Sequence, residues 1–197
     1  MKFKLLMAGA AALALAACGS NEEAAPADNM AAENAATDNL LMDNEAAPSA
    51  AATGGQDYAT KAAASDLFEI QSSELAADKA NSDDVKALAR MLIADHNKST
   101  ADLKAAAAKA EPPIEVAPAL DAEGQSNMEA LRAASEADFD RTWLTQQVAA
   151  HEKALAMVRT YAESGDVASL KEHASTVAGP IEKHLARARE LLEGLDR

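Results

Sequence analysis

The sequence predicts an all-α protein, an antiparallel four-helix bundle preceded by a disordered N-terminal tether. Three observations carry this. Alanine is abundant while aromatic residues make up only 3% of the chain, a mixture that favours helices and starves a β-sandwich of the β-branched and aromatic side chains it needs. Apolar residues after Gly54-Gly55 recur at three- and four-residue spacing over stretches of more than twenty residues. Turn-forming clusters then separate those stretches at Asn81-Ser82, Pro112-Pro113 and Gly165-Asp166.

The first long helix is predicted from Gln56 to Lys79. The second opens with Ser82-Asp83 as N-cap and runs to Lys109, with Val85, Leu88, Leu92, His96, Ser99, Leu103 and Ala106 on one face. Pro112-Pro113 stop it, and Pro118 keeps the connection extended. A short helix follows from Asp121 to Ala133. Ser135 with Asp138 three residues on forms a capping box for the third long helix, which turns Phe139, Trp143, Ala150, Ala154, Leu155, Val158 and Tyr161 inward. The fourth carries Leu170, Val177, Ile181, Leu185, Ala188 and Leu192, with an interruption and kink expected at Gly179-Pro180. Each long helix has roughly 24 to 28 residues and measures about 40 Å.

The N-terminus reads differently. Lys2 and Lys4 precede an apolar run from Leu5 to Ala14, a pattern that fits a secretory signal and is too short to cross a bilayer. The run ends in Leu15-Ala16-Ala17-Cys18, which resembles a lipobox. Small residues suit the processing protease, and the Cys18 thiol is the atom that accepts a diacylglyceryl group. Cys18 is also the single cysteine of the chain, which excludes an internal disulfide framework. Residues 1–17 are therefore expected to be a lipoprotein signal peptide, with Cys18 lipidated (palmitate among its acyl chains) and holding the protein to a membrane. The lipobox rule implies three acyl chains, enough for stable anchoring. Gly19 stands where an aspartate would often retain a lipoprotein at the inner membrane, so the expected location is the outer membrane, facing the periplasm.

From Gly19 to Gln56 the chain has seven acids and neither lysine nor arginine, and only Met30, Leu40, Leu41 and Met42 offer large apolar surface. Such a segment cannot offset the entropy of ordering. Residues 18–56 are read as the lipidated cysteine and a disordered acidic linker, spanning roughly 35 Å as a flexible coil; residues 57–197 are the bundle. The chain carries 18 basic and 32 acidic residues, a net charge of −14. Cleavage before Cys18 removes Lys2 and Lys4 and no acid, leaving 16 basic residues against 32 acidic ones, or −16. That charge repels phosphate backbones and excludes nucleic acid as a partner. The partner the sequence does specify is the membrane, through the lipid on Cys18; it names no protein partner and no oligomeric state.

The informative residues are the polar ones on predicted buried faces. His96 lies in the middle of the second helix's apolar stripe, and Asp140, Gln147 and His151 share the third helix's stripe with Trp143 and Leu155. His184 sits with Ile181 and Ala188 on the fourth, and Glu69 lies on the small-residue side of the first with Ala62, Ser65 and Ala76. Glu69 is about 13 residues before the first turn and His96 about 13 after it. His151 is 14 before Gly165, and His184 some 18 after it. The four converge at mid-bundle. One reading makes Glu69, His96, His151 and His184 the ligands of one divalent transition metal, zinc, copper or iron, with Asp140 and Gln147 in support. The competing reading makes each histidine a satisfied core residue, bonded to Glu69, Asp95, Asp140 or Gln147 to fix helix register, in a structural or partner-binding envelope protein. A third makes His151 the base of an enzyme, although no nucleophile with a neighbouring base and no glycine-rich phosphate loop is present. His173 falls at the edge of its stripe and is expected at the surface. Asp95, beside His96 but rotated away, is read as an outer-face or supporting acid.

Several segments occur together in one known family: Ala64–Ala76 with Phe68-Glu69-Ile70, Val85-Lys86-Ala87-Leu88-Ala89 leading to Asp95-His96, Phe139-Asp140-Arg141-Thr142-Trp143-Leu144, His151, and Pro180 followed by His184-Leu185. On these the chain resembles the domain of unknown function 4142 family over about Asp57 to Leu192. The resemblance implies a ferritin-like bundle in the bacterial envelope and no defined activity. It does not imply a di-iron centre. That needs Glu-x-x-His pairs, and here Ile93, Val148 and Ile181 stand three residues before His96, His151 and His184.

Overall fold

The computed structural model describes residues 54–195. The expected signal peptide at 1–17, Cys18 and nearly all of the expected linker lie outside the described residues. Within them the chain is all-helical, with five helices and no strand. In chain order these are α1 (Gly55–Lys79), α2 (Asp83–Ala107), α3 (Ala122–Ala133), α4 (Glu136–Ser164) and α5 (Ala168–Gly194).

Three helices start where side chains satisfy orphan backbone N–H groups. Ser82 Oγ accepts from Val85 N, Asp121 Oδ1 from Gly124 N at 2.7 Å, and Ser135 Oγ from Asp138 N at 3.2 Å. Ser135 Oγ also donates to the Asp138 carboxylate at 2.6 Å, which closes the Ser135–Asp138 pair in both directions. The predicted break in the last helix does not occur: α5 runs through Gly179-Pro180 without interruption. The missing Pro180 N–H removes one rung, the bond to the Thr176 carbonyl, and the packed neighbours hold the rest of the helix.

The long helices pack α1 on α2 and α4, and α5 on α4 and α2, while α3 lies against α1 and α4. Two apolar clusters result. One joins the C-terminal part of α1, the N-terminal parts of α2 and α4 and the end of α5, around Phe68, Leu88, Leu92, Phe139, Trp143 and Leu144. The other joins the opposite ends of the same four helices, around Tyr58, Leu103, Val158, Tyr161, Leu170 and Ile181. Because α2 ends in the second cluster and α4 begins in the first, residues 108–135, with α3 among them, run back along the helices to connect the two. Between the clusters lies a layer of buried polar residues: Asp66, Glu69, His96, Gln147, His151 and His184. Among the described residues no helix is long and apolar enough to cross a membrane.

Candidate metal centre

Each long helix brings its midpoint into the polar layer. His96 comes from α2, His151 from α4 and His184 from α5, and all three are buried. One ring nitrogen from each lies within 4.8 Å of the others, forming a group of a size that one metal ion can bridge. The ring centroids are 5.4 to 5.7 Å apart.

The outer nitrogen of each ring is tied to an acceptor. His96 Nδ1 is 2.8 Å from Asp66 Oδ1, whose second oxygen accepts from Thr100 Oγ1 at 3.1 Å. His151 Nδ1 donates to the Gln147 carbonyl at 2.8 Å, a bond that fixes the proton on Nδ1. His184 Nε2 is 2.8 Å from Asp95 Oδ2. Acceptors on these sides place the N–H outward and leave lone pairs on His96 Nε2, His151 Nε2 and His184 Nδ1. Those three nitrogens are buried with no hydrogen-bond partner. Leaving buried polar atoms unpaired costs about 1–3 kcal/mol each. Three lone pairs facing one another without donors between them form an arrangement that suits a shared cation. The acceptors behind the rings complete the pattern by which proteins orient metal-bound imidazoles.

The electrostatics keep two of the rings neutral and ready to ligate, while His96 holds a second proton more tightly and must release it to a metal ion. Burial, aided by repulsion from His96, pushes His151 down to about 3. Burial also lowers His184, against the pull of Asp95. His96 is raised: burial works to lower it, but the bond to Asp66 and the charges of Glu69, Asp66 and Asp95 prevail. Glu69 is pushed up to about 7 by burial, partly offset by His96.

Glu69 itself is buried in the layer, but outside the group of three nitrogens. Its Oε1 lies 3.8 Å from His151 Nδ1, the nitrogen already bound to Gln147, and both its oxygens lack hydrogen-bond partners. Gln147 supports His151 through its carbonyl, while its side-chain amide donates to Ser72 Oγ at 3.2 Å. Asp140 has a different task from the one its stripe suggests. Its carboxylate accepts from Asn81 N and Ser82 N, both at 2.9 Å, and so clamps the α1–α2 turn onto α4. His173 is a correction. It is buried, with Nδ1 2.9 Å from the Tyr58 hydroxyl and Nε2 near the Ser99 carbonyl, because the buried face of α5 is wider than its apolar stripe. Sequence reasoning missed Asp66. Its signal was present in the Ala62, Asp66, Glu69, Ser73, Ala76 spacing of one helical face, where an acid among small residues needs a buried partner.

The sequence matches DUF4142, a domain of unknown function, over residues 14–191. The chain belongs to the DUF4142 family. No curated protein matches it. Among solved structures, this DUF4142 chain is similar to CopM in the Cu(I)-bound form, with a TM-score of 0.60 and 18% identity, over 72% of this chain and 97% of that one. CopM in the Cu(II)-bound form gives 0.61 and 16% over the same shares. CopM co-crystallised with silver gives 0.59 and 19%, over 72% and 96%. At these identities the likeness is one of fold.

Proposed function

We propose that this DUF4142 protein binds a transition-metal ion through His96, His151 and His184, in a lipoprotein held by Cys18 to the outer membrane and facing the periplasm. The observation that carries the metal reading is the set of three unpartnered, buried ring nitrogens converging on one point, each on a ring oriented from behind by an acceptor. Imidazole donors suit copper, zinc and iron. Copper is the first candidate because CopM, a solved protein similar in fold, is seen bound to Cu(I), Cu(II) and silver. Asp66 and Asp95 then act as orienting carboxylates, and Glu69 supplies a buried negative charge beside the cation. The bound ion would contribute Lewis acidity and, for copper, one-electron redox capacity; the chain's own groups bind, orient and exclude water.

Neighbouring long helices that run in opposite directions, with one connection returning along their length, support the finer reading of the fold as a ferritin-like four-helix bundle. The reading of the anchor rests on the Leu15–Cys18 motif and the acidic segment that follows it.

Protein purified without a histidine tag is expected to take up one equivalent of copper. A ligand at a hundredfold excess over its Kd stabilises by about 2.7 kcal/mol, which raises the Tm of a domain this size by roughly 10 °C. His96→Ala combined with His151→Ala should abolish both uptake and shift. Absence of bound metal together with no shift on adding copper, zinc or iron would sink the reading. For the anchor, labelled palmitate should enter the wild-type chain and not Cys18→Ser.

A further inference from the structure

Next to the histidine layer, on the side of the Tyr58–Ile181 cluster, is a cavity of about 250 Å³. His96 and His184 lie in its wall, and each has an unpartnered, buried ring nitrogen. Its mouth opens between α2 and α5, where Asp95, Lys98, Thr176 and Pro180 are exposed. Small residues on the facing helices, Ala62, Ser65, Ser99 and Ala154, leave the space unfilled.

We propose that this cavity is the route by which a hydrated metal cation travels from solvent to the three histidines, a proposal that rests on the metal reading above. Three features of the cavity support it. The first is charge. Asp95 and Asp102 stand at the mouth and Asp66 lies deeper, and the single lysine there, Lys98, is paired with Asp102. A cation is drawn in and an anion is not. The second is size. An ion with six waters at about 30 Å³ each occupies roughly 180 Å³, so a cavity of about 250 Å³ has room for the hydrated ion. The third is the helix terminus-like chemistry at Pro180. Lacking an N–H, Pro180 withdraws the i+4 donor from the Thr176 carbonyl, and both residues line the cavity. Asp95 links rim and site, since its side chain is 47% exposed while its Oδ2 holds the buried His184.

The chain contains one tryptophan, Trp143, whose fluorescence reports copper arrival without a label. Stopped-flow mixing with Cu(II) would be compared for wild type, Thr176→Phe, Lys98→Phe and Thr160→Phe. Thr176 and Lys98 line this cavity, whereas Thr160 lines a separate groove between α1, α3 and α4. A plug hinders passage both ways, so loading and chelator-driven release should both slow by at least about tenfold in Thr176→Phe, with Kd within about threefold of wild type. Lys98→Phe should also slow both steps, although it frees Asp102 and so adds cation attraction at the mouth, and it stands in for Thr176→Phe if circular dichroism shows that variant unfolded. Thr160→Phe should load at the wild-type rate. Wild-type loading rates in both plugged variants would overturn the route, as would a change in Kd with no change in loading rate. A wild-type protein that takes up no Cu(II) at equilibrium defeats the metal reading instead, a result that equilibrium titration separates from failure of the route.

Discussion

His184 Nε2 lies 2.8 Å from Asp95 Oδ2, and the pair joins a buried ring to a carboxylate whose side chain is 47% exposed. Asp66 does the same for His96 from inside the protein, where its side chain is only 7% exposed. The two carboxylates therefore perform one task in two dielectric settings.

Removing either carboxylate is predicted to weaken copper binding, and to unequal extents. Loss of an outer hydrogen bond to a metal-bound histidine typically costs 10–100-fold in affinity. Asp66→Ala should fall at the upper end, because the buried carboxylate serves both His96 Nδ1 and Thr100 Oγ1 and its loss strands the two together. Asp95→Ala should fall at the lower end, because water can replace the exposed carboxylate. Competition titration against a chelator of known affinity measures both; equal affinities in wild type and Asp66→Ala would remove the orienting role.

Asp140 provides the contrasting case. It accepts two backbone N–H bonds at the α1–α2 turn and touches none of the three histidines. Asp140→Ala should destabilise the fold by about 2–4 kcal/mol, since two bonds to a charged acceptor are lost and two N–H groups are stranded. Metal affinity should remain within about twofold. Urea denaturation and the same competition titration separate the two readouts.

These residues also show what the sequence could disclose. The three histidines were legible because each lies near the middle of its helix. A mid-helix residue stays at mid-height whichever way its helix runs, so the return of residues 108–135 along the bundle left the convergence intact. Residues near helix ends have no such protection. Asp140, five positions into α4, shares a stripe with His151 yet lies about three turns from it, and a stripe reports a face rather than a height. His173 failed for another reason. Its partner Tyr58 is 115 residues away, and no local pattern announces that a wide face of α5 will be covered. Pro180 misled because a single missing rung is weaker than the packing of a long helix.

His173 should make the stability of the protein fall in acid. Burial holds its folded-state pKa below the usual 6.5, against the Ser99 carbonyl and the charges of Asp66 and Asp102 and together with Lys98. The unfolded chain therefore binds the extra proton first, and stability contributed by neutral His173 is present above pH 6.5 and lost as pH falls below it. His151 and His184 are lowered too and add losses of the same sign. His173→Gln should flatten the part of the decline due to residue 173. Thermal denaturation of the metal-free protein in a chelator from pH 7.5 to 5 tests this, and parallel curves for the two proteins would remove His173 from the account.

Glu69 gives the prediction that best separates a metal centre from a polar core. Its two oxygens are buried and without hydrogen-bond partners, and burial lifts its pKa to about 7, so at pH 8 an ionised carboxylate is held there with its burial only partly offset by His96. Replacing an unpaired buried charge with an apolar side chain of similar length relieves that penalty, and Glu69→Met should stabilise the metal-free protein at pH 8 by about 1–3 kcal/mol. If the layer merely fixed helix register, the variant would be better in every respect. If it holds a cation, the lost negative charge must be felt when the ion binds, and copper affinity should fall by at least tenfold, since one unit charge a few ångströms away is worth more than 1.4 kcal/mol at an effective dielectric near 20. A gain in apo stability joined to a loss of affinity is the signature of a group kept for binding. Measuring denaturation midpoints without metal and Kd with it, on the same preparation, decides between the two.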